Sequence, residues 1–312
     1  MLPMKIFFSL CILFQTASSF ELLSDESFNW PLANITVSLS AEAYCDPETY
    51  LERDFSKVSP YVKKFKPTYR IQSIESHDVN GFVGTMETSI YIVFRGSQSL
   101  SNFVDDFDIR TQEEYCTGCM VHKGFFEATQ SVLPGVLEEI SRQQAKNPSL
   151  EDIVVTGHSL GIPAFIVPVH VLLTFHQTYM ILRTIGAALA TIAALDLANK
   201  GLHVRLINFG SPRLANSNLA EYISKTLPTR IRVTNHKDPV PHLPLFALGF
   251  DHIQGEYYED EFAFVHECTG TSDPTCSSQW THMEWSRIDI PSLNDHLEYL
   301  NQHMGSDICK TE

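Results

Sequence analysis

The chain has 312 residues, is 44% hydrophobic and carries a formal net charge of −15. That length and apolar content suit one large α/β domain or two smaller ones with a sizeable core. The acidic balance argues against nucleic acid, or an anionic membrane surface, as a purely electrostatic partner.

The first segment does not belong to the fold. Lys5 precedes an apolar run from Ile6 to Phe14, and Ala17-Ser18-Ser19 offers small residues for cleavage. This is the layout of a secretory signal peptide over residues 1–19, which leaves 20–312 as the mature domain and implies a secreted, extracellular protein. The cysteines agree. Cys11 leaves with the signal, and Cys45, Cys116, Cys119, Cys268, Cys276 and Cys309 remain. An even number in an extracellular chain predicts disulfides, with every pairing open on sequence alone. Cys116-x-x-Cys119 has no second CxxC to complete a zinc site, so a short-loop disulfide is the better reading. Asn34-Ile35-Thr36 is a glycosylation sequon.

Further along, "TSIYIVFRGS" (Thr88 to Ser97) is a β-rich run ending in a turn. "DIVVTG" (Asp152 to Gly157), "HVRLINFGSP" (His203 to Pro212) and "TRIRVT" (Thr229 to Thr234) read as short strands, the first of a kind buried on both faces. Helical patterns span about residues 124–146, 187–199 and 216–225, and Pro134 is expected to kink or split the first. Strands alternating with helices predict one α/β domain around a largely parallel sheet.

Gly157-His158-Ser159-Leu160-Gly161 follows the strand "DIVVT" directly. A GxSxG in that context reads as a nucleophile elbow, a strained strand-to-helix turn whose glycines relieve crowding around an exposed serine. A serine hydroxyl needs a base, and the base needs an orienting acid. In the order serine, acid, histidine, the acid candidate is Asp238 in "NHKDPVPHLP", although Asp-Pro is also an ordinary turn. His242, His252, His266, His282, His296 and His303 all follow it, and spacing does not choose among them. No HExxH, paired CxxC or GxGxxG in context occurs, so neither a metal nor an organic cofactor is expected.

The stretches "YIVFRGSQSLSNFVDD", "CTGCMVHKGF", "VVTGHSLG", "ALATIAALDL", "FGSPRLAN", "DPVPHLP" and "DHLEYL" resemble the secreted fungal class 3 lipases of the Rhizomucor and Thermomyces type. The resemblance runs from about Ala41 to Cys309. It implies an α/β-hydrolase fold with a short helical lid, Ser159 as nucleophile, Asp238 as acid and His296 as base. It also implies the disulfides Cys45–Cys309, Cys116–Cys119 and Cys268–Cys276. The oxyanion hole it implies consists of the Leu160 N–H together with Ser97 from "FRGS".

In "SLSNFVDDFD", Leu100, Phe103, Val104 and Phe107 fall at i, i+3, i+4 and i+7, one apolar face of a short helix. In the resembling lipases this position is the lid. Exposing four such residues to water costs at most roughly 6–10 kcal/mol, so opening is expected at a lipid–water interface. The related feruloyl esterases are polar here. Phe103 stands where several family lipases carry tryptophan. The expected partner is therefore a lipid surface and its acylglycerols, with triacylglycerol hydrolysis the leading reading. Phospholipase A1, mono- or diacylglycerol lipase and feruloyl-type esterase are the rival hydrolases, and an inactive lipid-binding protein is the alternative of another class.

One stretch breaks the resemblance. After Gly161 a helix of small residues should follow, but "GAALATIAALDL" begins only at Gly186. Removing residues 162–186 gives "GHSLGAALATIAALDL", an uninterrupted elbow-to-helix junction. A Gly161 codon split as G|GT and Ile185-Gly186 encoded ATA-G|GN would give an in-frame intron bounded by GT and AG, so a retained intron is the favoured reading. A genuine insertion is the second. A membrane segment is the third and weakest, because Pro163, Pro168, His170, His176, Gln177 and Arg183 interrupt the apolar run. With the segment in place, a poorly folded or weakly active chain is expected.

Overall fold

A computed structural model describes residues 28–73, 78–96, 109–159, 186–280 and 290–310. The expected signal segment, Ser97, the four expected lid residues, Leu160, Gly161, residues 162–185 of the interrupting segment and His282 lie outside the described residues.

Eight strands form the central sheet: β1 (Lys66–Gln72), β2 (Asn80–Met86), β3 (Ser89–Phe94), β6 (Asp152–His158), β7 (Val204–Phe209), β8 (Thr229–Asn235), β9 (Glu256–Glu259) and β10 (Val265–Glu267), in the spatial order β1-β2-β3-β6-β7-β8-β9-β10. The five strands from β3 to β9 are mutually parallel, while β1, β2 and β10 run antiparallel at the two edges. Two small hairpins complete the strands among the described residues: β4 (Thr111–Glu113) with β5 (Met120–His122), and β11 (Glu298–Tyr299) with β12 (Gln302–His303).

Side chains alternate between two cores, as a pleat buried on both faces requires. Ile90, Ile92 and Phe94 of β3, with Ile153 and Val155 of β6, face one side. There they meet α2 (Lys123–Lys146), α3 (Gly186–Asn199) and α4 (Ser217–Thr226). Tyr91, Val93, Val154, Ile207 and Phe209 face the other side and pack on α1 (Trp30–Glu42).

Helix α3 is almost wholly buried, with every residue from Gly186 to Leu195 enclosed. Its run of alanines lets it lie close to β6 and β7. Helix α2 is not split at Pro134: Lys123–Lys146 is a single helix with the proline inside. The hydrogen bond lost at Pro134 costs on the order of 3 kcal/mol. Burial of Val132, Leu133 and Val136 on either side offsets it. Gly135 also makes room for the Tyr69 hydroxyl, which would lie 2.3 Å from any Cβ there.

Helix α1 had no counterpart among the predicted elements. Asn29 caps it by accepting from Leu32 N–H (3.1 Å). Its buried hydroxyls are satisfied internally or across the core: Thr36 Oγ1 donates to Leu32 O (2.9 Å), and Ser40 Oγ meets Thr156 Oγ1 (3.0 Å). The Asn34 sequon lies inside this helix with its Thr36 fully enclosed. A glycan there has to be attached before the helix docks.

The three disulfides are Cys45–Cys309, Cys116–Cys119 and Cys268–Cys276. The first ties the end of α1 to the C-terminal one-turn helix Ser306–Lys310. No described helix is long and apolar enough to cross a membrane.

Candidate active site

Ser159 follows the last residue of β6 with φ of 76°, a left-handed backbone that an L-residue adopts only where its surroundings enforce it. Its N–H donates to Phe209 O (3.0 Å), which fixes the turn onto β7. The side chain is 1% exposed.

Ser159 Oγ lies 2.5 Å from His296 Nε2. His296 Nδ1 lies 2.9 Å from Asp238 Oδ2. Three distant segments thus converge: the end of β6, the loop after β8, and the last turn of α5 (Ile290–Leu297). The contact chain can take a proton from the serine hydroxyl onto the imidazole and hold the resulting cation against a carboxylate. It is buried: His296 is 0% and Asp238 1% exposed. Gly210, at φ +57°, leaves the space they need. A Cβ on it would lie 2.9 Å from Tyr299 Oη, 3.1 Å from Asp238 Oδ2 and 3.1 Å from His296 Cε1.

Each partner is held in turn. Asp238 Oδ1 accepts from Val240 N–H (2.8 Å), so the Asp-Pro turn and the oriented carboxylate are the same structure. Asp238 Oδ2 accepts from Tyr299 Oη as well as from His296. Asn235 Nδ2 donates to Asp295 O (2.9 Å) and Glu298 O (2.7 Å) and clamps the backbone on both sides of His296. His158 supplies a further tie. Burial holds its imidazole well below the ordinary pKa, so it is neutral. Its two partners assign the tautomer: Nε2–H donates to His296 O (2.9 Å) and Nδ1 accepts from Tyr44 Oη (2.7 Å).

Of the six candidate histidines, the structure brings His296 to Ser159 and Asp238. His242 is buried, with its pKa lowered by that burial to about 4. His252 Nε2 donates to Pro241 O (2.6 Å). His266 and His303 pair with Asp260 (2.9 Å) and Glu298 (2.6 Å). His158, Tyr299 and Asn235 are the site residues that sequence reading missed. Their roles run through the triad residues and leave no motif of their own, although His158 stood inside the elbow pentapeptide. No cluster able to hold a metal ion occurs among the described residues.

Glu259 of β9 anchors the turn behind the histidine, its Oε2 accepting from Leu300 N–H (2.8 Å). Burial raises its pKa from 4.5 to about 7. The folded state therefore holds this proton more tightly than the unfolded chain does. The stability it contributes is full below about pH 4.5, is lost as pH rises to about 7, and changes no further above that. Glu259→Gln keeps the acceptor and removes the titration. Between pH 5 and 8, urea unfolding should show the native chain losing about 2.5 kcal/mol more stability than the variant. Equal losses would contradict this.

A serine presented at the end of a central strand of a mostly parallel sheet, with its acid on a later loop and its histidine in a later helix, defines the α/β-hydrolase fold. A family model described as lipase (class 3) matches residues 91–167 and 169–248, about half of the chain, and the chain belongs to that family. A secreted mono- and diacylglycerol lipase A of Penicillium cyclopium is 34% identical over 185 residues, covering 58% of this chain and 52% of that protein. A lipase of Rhizomucor miehei is 32% identical over 243 residues, covering 73% of this chain and 57% of that protein. The solved structure of Rhizomucor miehei triacylglyceride lipase superposes with a TM-score of 0.70 at 28% identity, over 88% of this chain and 95% of that one. The chain spans about half the length of the curated relatives it matches.

Proposed function

We propose that the protein is a secreted serine esterase that hydrolyses acylglycerols at a lipid–water interface. The observation that carries this reading is the buried contact chain from Ser159 through His296 to Asp238 at the glycine-relieved elbow. Ser159 Oγ attacks the acyl carbonyl while His296 takes its proton. Asp238 keeps the imidazole oriented and stabilises its cation. The backbone N–H of Leu160 and Ser97 hold the oxyanion, His296 returns the proton to the leaving glycerol oxygen, and water then releases the acyl group.

Tyr299 serves as a positioning residue. Burial, and then the neighbouring Asp238, raise its pKa well above the ordinary value, so it stays a donor to the carboxylate. A hydrogen bond to a charged group contributes about 1.5–3 kcal/mol. Tyr299→Phe should lower kcat about 10- to 100-fold with KM unchanged. An unchanged kcat would remove Tyr299 from the mechanism.

Triacylglycerol is the leading substrate. The names of the relatives support partial glycerides equally, and the apolar residues Leu100, Phe103, Val104 and Phe107 support a long acyl chain over a feruloyl group. Rates on triolein, diolein, phosphatidylcholine and methyl ferulate separate these readings. Activity on methyl ferulate alone would overturn the acylglycerol assignment. The Phe103→Ser, Val104→Ser double variant should lose the preference for emulsified over dissolved ester, and retention of that preference would overturn the lid.

Residues 162–186 are proposed to be a retained intron, absent from the functional message. Amplifying the transcript across this region tests that directly.

A further inference from the structure

The contiguous motif pairs Gly157 with Gly161 around Ser159. The backbone packed against Gly157 comes from another part of the chain. A Cβ on Gly157 would lie 2.4 Å from Gly186 O, 2.6 Å from Gly186 C and 3.1 Å from Ala187 N. A Cβ on Gly186 would lie 2.6 Å from Phe94 O, 2.7 Å from His158 O and 2.9 Å from Arg95 C. Gly96 closes the same knot, since its Cβ would lie 2.6 Å from His158 O and 2.9 Å from Ser159 Cβ. Apart from the Tyr44 hydroxyl and Ser159 Cβ at Gly96, these obstructing groups are main chain at the ends of β3 and β6 and at the start of α3, and such atoms cannot step aside.

The start of α3 is also held in place. Thr191 Oγ1 donates to Ala187 O (2.9 Å), and Asn208 Nδ2 of β7 donates to Thr191 Oγ1 (2.9 Å). Ala187, Thr191 and Asn208 are all fully enclosed. Gly186 therefore meets the elbow at a fixed point of the fold.

We infer that Gly186 takes the place of the second glycine of the nucleophile elbow, as a positioning residue for Ser159, where the contiguous motif would have Gly161. The elbow is assembled from two stretches separated in sequence. Because residues 161 and 186 are both glycine, removing 161–185 or 162–186 leaves the same chain, with this glycine joined to Leu160. The activity readout rests on the proposed esterase function. The stability readout does not.

The test compares Gly186→Ala with Gly161→Val in the full-length chain. The readouts are the rate of Ser159 labelling by a fluorophosphonate, kcat and KM on a soluble short-chain ester, and the melting temperature. Gly186→Ala should slow labelling and lower kcat by about 10²-fold with KM within about twofold, as a small displacement of a nucleophile does. It should also lower the melting temperature by about 5 °C or more. Gly161→Val should leave all of these unchanged. If Gly186→Ala fails to fold, Gly161→Val decides alone: unchanged labelling supports the assignment and lost labelling overturns it. If the unsubstituted chain takes no label, the esterase reading fails. The melting temperatures then carry the glycine assignment, and equal melting of the two variants overturns it.

Discussion

A chain lacking residues 161–185 should turn over ester about 10²- to 10³-fold faster than the full 312-residue chain. In the shortened chain Leu160 is bonded to Ser159 on one side and to Gly186 on the other. Both neighbours have defined places, Ser159 hydrogen-bonded to Phe209 O and Gly186 packed on the His158 carbonyl. The Leu160 N–H is then fixed as the proposed oxyanion donor. In the full chain 25 further residues separate Leu160 from Gly186. Loss of one such donor costs about 2.7–4 kcal/mol of transition-state stabilisation, which sets the expected ratio. The described core closes on both sides of the segment, with β6 and α3 in contact and the Ser159–His296–Asp238 chain assembled. The expected deficit therefore lies in kcat more than in folding. Initial rates on tributyrin, normalised to titrated serine, make the comparison, and equal rates would overturn it.

The second large effect is on the triad itself. In the shortened chain, His296→Ala should lower kcat by about 10⁶-fold, because the serine then has no base. Asp238→Asn should lower it by about 10⁴-fold, since an amide at that place favours the wrong imidazole tautomer. Both variants should fold, because the β-sheet core does not depend on either side chain, and near-native circular dichroism checks that. A loss of less than tenfold in folded His296→Ala would remove His296 from the role of base.

Much of this was legible in the sequence for identifiable reasons. Strands β3, β6 and β7 are central and carry apolar side chains to both faces, so they read as short apolar runs, while β8 reads by alternation, with Ile231 and Val233 between Arg230, Arg232 and Thr234. Helices α2, α3 and α4 are long, periodic or composed of small residues between turn signals. Helix α1 was not legible, because its buried face takes in Thr36, Ser38, Ser40 and Glu42 and so blurs the apolar stripe. Strand β9 reads as polar, Glu-Tyr-Tyr-Glu, yet all four residues are buried. Glu256 there pairs with the enclosed Arg232 of β8 at 2.9 Å. Only the fold supplies that partner.

The site divides the same way. Ser159 was readable because the elbow has a local geometry and therefore a local motif. Asp238 was half-readable, since its turn and its acid role use one residue. His296 was reached through family resemblance, because its place beside Ser159 depends on α5 and on the clamp from Asn235, neither of which spacing encodes. Gly186 was visible as a junction, but its role as a close-packed elbow residue depends on β3 and β6 backbone that sequence does not place.

The most direct test of the account is fluorophosphonate labelling with the modified residue mapped by mass spectrometry, in the full and shortened chains. The account predicts label on Ser159 in both, faster in the chain lacking 161–185, and none when His296 is Ala. A folded, shortened chain that leaves Ser159 unmodified would contradict it.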